Sequence, residues 1–304
     1  MWRNILVPTD FSGAARQALQ LAVRLASPGC TVHVMHVITP TESDPYSPVR
    51  LRPEVQARQR LPEEVTDELL QQLIQEVATD QVAVARAWRR SSDVIGSILD
   101  YADTVEAELI VLGTHGRRGL QHFLLGCVAE AIVRRASVPV LTVREHARVP
   151  EAIRHILVPT DFSDDARMAL REAARWAAHF RARLTLLHVL APAVIPVSVT
   201  EMAAVYEVVP GLQERLHEEL TRWIEAEVPE AVASDLRIEE GPVDLTILEQ
   251  ARQDQADLIV MATHGRSGVA RWLLGSVTER VLRQAPCPVL TLRHRELPPE
   301  PSLH

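Results

Sequence analysis

The chain has 304 residues, 47% of them hydrophobic and 24% charged, with a formal net charge of −8. That balance belongs to a soluble globular protein, and the acidic excess excludes the basic footprint that sequence-independent nucleic-acid binding needs. No apolar run approaches the length of a membrane span, and the N-terminus enters a strand pattern at once, with no signal peptide. Three scattered cysteines, Cys30, Cys127 and Cys287, give neither a metal spacing nor a disulfide framework. The expected setting is therefore a reducing cytoplasm. All 32 Lys+Arg residues are arginine, which rules out a P-loop lysine, a Schiff-base lysine and a Ser-Lys dyad.

In chain order, Ile5-Leu6-Val7-Pro8 reads as a short buried strand followed by Thr9-Asp10. Continuous apolar runs suit parallel strands covered on both faces. Ser12 or Gly13 can cap the next helix, where Ala15, Ala18, Leu19, Ala22, Val23 and Leu25 recur at helical spacing. Thr31 to Ile38 is a second strand, 40–62 a loop, Glu63 to Ala78 a helix and Val82 to Ala87 a third strand. Asp93 to Ala107 is helical, Leu109 to Leu112 is a fourth strand running into Gly113, Gly126 to Ala136 is a helix, and Val138 to Val143 is a fifth strand.

The second half repeats this order. Its expected strands are 153–158, 183–190, 235–239, 258–261 and 287–292. Its expected helices are 164–179, 211–227, 243–255 and 275–285, with a loop at 191–210. Ile5 to Ser12 returns residue for residue as Ile156 to Ser163, 151 positions on. Gly113-Thr114-His115-Gly116-Arg117 returns as Ala262-Thr263-His264-Gly265-Arg266, and Leu124-Leu125-Gly126-Cys127-Val128 as Leu273-Leu274-Gly275-Ser276-Val277. A period of this size is a domain rather than a solenoid repeat, whose period is roughly 20–50 residues. The expected domains are 1–145 and 153–294, with 295–304 a flexible tail. Alternating strands and helices predict an α/β fold of two tandem, doubly wound, five-stranded parallel sheets.

Ligands of such sheets bind beyond the carboxyl ends of the strands, where strand order reverses. Two features meet that edge in each half: the Pro-Thr-Asp turn (Pro8, Thr9 and Asp10; Pro159, Thr160 and Asp161) and the glycine loop after the fourth strand. Gly113 and Gly116 are expected to let the backbone approach a ligand and take unusual dihedrals. Gly126 opens a helix whose free N–H groups attract an anion. Ser276 adds a hydroxyl donor, whereas Cys127 leaves mainly its backbone N–H. Asp10 and Asp161 can accept bonds from ribose hydroxyls or serve as caps and turn formers. Neither a P-loop nor GxGxxG is present.

Val-Pro-Thr-Asp-Phe-Ser, Thr-His-Gly-Arg, the Gly-x2-Gly-x9-Gly-(Ser/Thr) arrangement and the closing Pro-Val-Leu-Thr strand resemble the universal stress protein family over nearly the whole chain, twice. The resemblance implies the adenine-nucleotide-binding α/β fold. It implies adenine near Val37 and Val189, ribose on Asp10 and Asp161, and phosphates on the glycine loops and helix starts. The nucleotide-binding set is then Pro8, Thr9, Asp10, Val37, Leu112, Gly113, Gly116, Gly126, Cys127 and Val128. Its second copy is Pro159, Thr160, Asp161, Val189, Met261, Ala262, Gly265, Gly275, Ser276 and Val277. It further implies an intramolecular pseudo-dimer through the last strands, Val138–Val143 and Cys287–Leu292, with a homodimer as a further option. Both copies depart from the pattern: Cys127 stands where Ser or Thr is usual, and Ala262, whose methyl is expected where a ribose would pass, replaces the first glycine.

The remaining candidates divide between chemistry and packing. His115 and His264 are expected to structure their loops, and His36 and His188 to be packed and hydrogen-bonded. Arg117, Arg118, Arg266 and Arg271 could neutralise phosphate. Trp88, Trp176, Trp223 and Trp272 read as packing residues. The leading function is binding of ATP, ADP or AMP, with Mg²⁺ accompanying a triphosphate, by a sensor or regulator rather than an enzyme. No positioned base for hydrolysis is visible, although slow turnover stays open. The alternatives are a non-binding interaction module of the same fold, or an adenylating enzyme, whose usual Ser-Gly-Gly-rich first turn is absent.

Overall fold

A computed structural model describes residues 1–40, 62–77, 81–114, 125–191, 211–264 and 274–293. The chain separates into two compact units, Met1–Glu151 and Ala152–Glu296.

In the first unit β1 (Asn4–Pro8) leads to α1 (Gly13–Leu25), β2 (Thr31–Ile38), α2 (Pro62–Gln75), β3 (Ala83–Arg90), α3 (Val94–Thr104), β4 (Leu109–Gly113), α4 (Cys127–Arg135) and β5 (Val140–Val143). Its strands lie in the order β3-β2-β1-β4-β5, and the pairings of β1 with β2 and β4, of β2 with β3 and of β4 with β5 are parallel. The second unit runs β6 (His155–Thr160), α5 (Asp164–Phe180), β7 (Arg183–Leu190), α6 (Leu212–Glu227), β8 (Ser234–Glu240), α7 (Val243–Gln253), β9 (Leu258–Ala262), α8 (Ser276–Gln284) and β10 (Val289–Leu292). Its order, β8-β7-β6-β9-β10, is the same arrangement, again parallel.

The central strands are apolar because helices cover both faces. Ile5, Leu6 and Val7 of β1 and Leu109, Ile110 and Val111 of β4 are fully buried. Helix α1 begins where the Ser12 hydroxyl accepts the Ala15 N–H, and it buries Ala14, Ala15, Ala18 and Ala22 beside Leu19, Leu21 and Leu25. Small residues on that stripe let the helix axis come close to the sheet. Helix α5 repeats the cap with Ser163 and Ala166.

The outer strands differ from the central ones. β3 reaches Arg90, three residues beyond the expected end at Ala87, and carries Arg86, Arg89 and Arg90. Its alternation of polar and apolar positions hides it from an apolar-run reading. Charged side chains also suit a strand at the border of a sheet, where they discourage edge-to-edge pairing. Trp88 departs from the packing expectation: it is 38% exposed on that strand, whereas Trp176 and Trp223 are buried. Trp272 and residues 41–61, 192–210 and 294–304, which hold the expected loops and tail, lie outside the described residues. No helix among the described residues is long and apolar enough to cross a membrane.

Candidate functional site

Each site starts where two neighbouring strands part. β1 pairs with β4 at Ile5–Leu109 and Leu6–Ile110, while its pairing with β2 continues to Pro8–Met35. The Thr9 N–H then donates to the Met35 carbonyl at 2.8 Å, so the chain leaving β1 leans toward β2. The end of β4 leans the other way: Gly113 pairs with Val143, and the Thr114 N–H donates to the Val143 carbonyl at 3.0 Å. Strand order reverses between β1 and β4, and a crevice at their carboxyl ends follows from that divergence. In the second unit β6 pairs with β9 at Ile156–Leu258 and Leu157–Ile259, and the Thr263 N–H donates to Leu292 at 2.9 Å.

The Thr-Asp-Phe-Ser turn forms one wall. The Phe11 N–H donates to Thr9 Oγ1 at 3.0 Å and the Ser12 N–H to Asp10 Oδ1 at 3.0 Å. Each short polar side chain thus bonds backbone two residues on, the arrangement that makes Thr and Asp turn formers. Phe162 and Ser163 repeat these bonds to Thr160 Oγ1 and Asp161 Oδ1 at 3.1 and 3.0 Å. The cost falls on the phenylalanines, which sit in the left-handed region with φ of 63° and 62°. A bulky residue there is strained by about 1–3 kcal/mol and persists only where its surroundings hold it.

Those surroundings are His36 and His188. His36 Nδ1 lies 2.7 Å from the Thr9 carbonyl oxygen and His188 Nδ1 2.8 Å from that of Thr160. A carbonyl only accepts, so each ring carries its proton on Nδ1. The rings also pack on the strained phenylalanines, with centroids 4.8 Å apart for Phe11–His36 and 4.7 Å for Phe162–His188. The expectation that these histidines are packed and bonded holds. That their partner is the turn bearing the aspartate is not legible in a linear sequence.

The opposite wall is the start of α4 or α8. Gly126 is the N-cap of α4 with φ −61°, and Gly275 that of α8 with φ −58°. Neither helix has a side-chain cap bond, so no cap side chain takes up the N–H groups of its first turn, where the positive end of the helix dipole lies. The Gly126 N–H donates to the Thr114 carbonyl at 2.8 Å and the Gly275 N–H to Thr263 at 2.9 Å. These bonds close a stem under each glycine loop. Cys127 and Ser276 stand first in the helices, and both are exposed. Val128 and Val277 follow, half-buried.

Gly113 requires a correction. Its φ is not positive, and a Cβ there would lie 2.7 Å from Ala14 C and 2.8 Å from Ala15 N. The start of α1 packing on β4 leaves no room for a side chain there, and the glycine takes no unusual dihedral. Ala262 stands at the matching position of the second unit and is 8% exposed. Its carbonyl accepts the Thr278 hydroxyl at 3.0 Å.

Pro8, Asp10, Pro159 and Asp161 are half-buried, and Thr9 and Thr160 are buried. Val37 and Val189 are 6% and 8% exposed near the ends of β2 and β7, and Leu112 and Met261 are buried in β4 and β9. His264 Nδ1 shares a 3.0 Å hydrogen bond with Thr263 Oγ1. Gly116, Gly265, His115, Arg117, Arg118, Arg266 and Arg271 lie outside the described residues.

A model of the universal stress protein family matches residues 1–144 and again 152–293. The chain belongs to the universal stress protein family. A universal stress protein of Mycolicibacterium smegmatis is 28% identical over 96% of this chain and 97% of its own length. One from Mycobacterium tuberculosis is 31% identical over 62% of this chain, a stretch that spans 62% of that relative. A universal stress protein structure from Archaeoglobus fulgidus, 22% identical, superimposes over 95% of this chain and 96% of its own with a TM-score of 0.65, which shows the tandem universal stress protein fold.

The sequence also conceals a charge difference at the outer wall. Val37 pairs across to Arg89, whereas Val189 pairs across to Glu239. The Arg89 guanidinium lies over the Tyr101 ring, 5.2 Å from its centroid, a cation–π contact. The two copies of the site therefore differ in sign beside the same valine.

Proposed function

We propose that this universal stress protein binds one adenine nucleotide in each unit and acts as a sensor or regulator of stress rather than as an enzyme. The observation that carries the reading is the pairing, in both units, of an aspartate turn with a helix start that has no side-chain cap, across the crevice where the strand order reverses. Asp10 and Asp161 would accept the ribose hydroxyls, Val37 and Val189 would pack on the adenine, and the first turns of α4 and α8 would hold phosphate. Anion capture at a helix N-terminus needs no lysine, which suits a chain that has none. ATP, ADP and AMP share every one of these features, and Mg²⁺ would accompany a triphosphate. The site's donors bind and orient. A general base within reach of a γ-phosphate is what efficient hydrolysis would add, so turnover should be slow.

Mass spectrometry of small molecules released from the denatured purified protein tests the reading. Adenine nucleotide at up to two per chain is expected. A ligand-free protein that also shows no thermal shift with ATP, ADP or AMP would point to an interaction module of the same fold.

A further inference from the structure

We propose that His36 and His188 are positioning residues of the two sites, each clamping the aspartate turn in its ligand-ready form before a ligand arrives. The proposal rests on the nucleotide-binding reading. Each turn holds a phenylalanine at positive φ, a conformation that a free tetrapeptide would abandon. Two contacts from one imidazole oppose that escape. Nδ1–H donates to the carbonyl of Thr9 or Thr160 at 2.7 or 2.8 Å, fixing the peptide plane that leads into the aspartate. The ring also packs, tilted, on Phe11 or Phe162, a lesser contact than the bond. His36 is 6% exposed, so the bond is sheltered from competing water.

The same four-part device, of threonine hydroxyl, aspartate carboxylate, left-handed phenylalanine and histidine donor, occurs in both units with bond lengths matching within 0.1 Å. Around it the packing partners change. Trp223 stacks edge-on against Phe162 with centroids 5.5 Å apart and carries Arg167 over its own ring. At the matching place on α2 the buried residue is Leu73. A device kept while its packing is rebuilt is held for its geometry, and that geometry sets where the Asp10 and Asp161 carboxylates stand. Preorganisation of this kind raises affinity by removing the ordering cost from the binding step.

Two replacements separate bond from ring. His36→Asn keeps an N–H donor where Nδ1 stood, and His36→Phe keeps an aromatic ring and removes the donor. In the full-length chain, titrated with ADP by calorimetry, H36F should weaken the first-unit site about five- to tenfold, the worth of one hydrogen bond. H36N should stay within about threefold of the parent, and the second-unit site should be untouched by either. H188F and H188N should show the reverse pattern, which keeps the test open if one unit tolerates its change poorly. In the ligand-free chain, amide exchange at Phe11 and Ser12 should quicken in H36F and not in H36N. Equal affinity of H36F and parent, or H36N as weak as H36F, would overturn the clamp while leaving nucleotide binding intact. A parent chain that takes up no nucleotide overturns the binding reading and the positioning role with it.

Discussion

The two units differ least at the crevice and most around it. The turns carry the same bonds, and the loop stems close through the same Thr–Gly contact at 2.8 and 2.9 Å. Outside that frame the units diverge. The first brings α1 so close to β4 that only glycine fits at 113, while the second accepts Ala262 and ties its carbonyl to Thr278. The first joins α1 to the residue just after α2 through an exposed Arg16–Glu76 pair. The second buries Glu227 between Arg167 and Arg171 at 2.6 and 2.5 Å. Backbone geometry at the strand ends is thus the common property, and the supports beneath it are interchangeable in kind but not in strength.

The largest effect should come from forcing one unit's packing on the other. Gly113→Ala places a methyl against α1 backbone, which cannot step aside like a flexible side chain, and should destabilise the first unit by about 2–3 kcal/mol. Ala262→Gly, the reciprocal change, should cost at most about 1 kcal/mol. Chemical denaturation of both variants measures the difference. Equal costs would mean that the helix–strand spacing is the same in the two units.

A smaller contrast lies in the ion pairs. The hydrogen bond from Arg171, with help from Arg167, holds Glu227 below the usual 4.5 against the opposing push of partial burial. A lowered carboxylate pKa contributes stability that is present above 4.5 and lost as the pH falls through the lower folded value. Glu227→Gln should therefore cost about 1 kcal/mol at neutral pH, moderated by the solvent exposure of both arginines, and the gap to the parent should close as the pH drops below 4.5. Glu76→Gln, in an exposed pair, should cost about half as much or less. Thermal melts between neutral pH and pH 3.5 would show it.

The smallest effect should come from exchanging the residues that open the phosphate-side helices. Cys127→Ser and Ser276→Cys leave the backbone N–H groups in place and alter one exposed side chain. Nucleotide affinity should shift less than about fivefold in each, up in the first and down in the second. A larger shift would mean that the side chain, not the helix start, holds the anion.

Much of the frame was legible because apolar runs and glycine spacing report directly on buried parallel strands. The second strand forms at Thr31–Ile38, with the bounds its pattern implies. What stayed hidden depends on contacts between distant residues. The Gly113 requirement comes from Ala14 and Ala15, about a hundred residues upstream. The left-handed φ of Phe11 and Phe162 contradicts the preference of phenylalanine itself and is imposed by a histidine from the neighbouring strand. The last residues of β3 escape an apolar-run reading because Arg89 and Arg90 carry charge. The identical Thr-Asp-Phe-Ser words located the turn, but only the structure shows that the aspartate bonds Ser12 or Ser163 with one oxygen.

That last detail makes the central claim directly testable. Asp10→Asn and Asp161→Asn keep an oxygen for the turn bond and remove the carboxylate charge that a ribose would meet. Calorimetric titration of the intact chain with ADP should give two sites. Asp10→Asn should weaken one of them about tenfold, Asp161→Asn the other to a similar degree, and the double variant both. Two sites of undiminished affinity in the double variant, or no binding by the parent chain, would contradict the account.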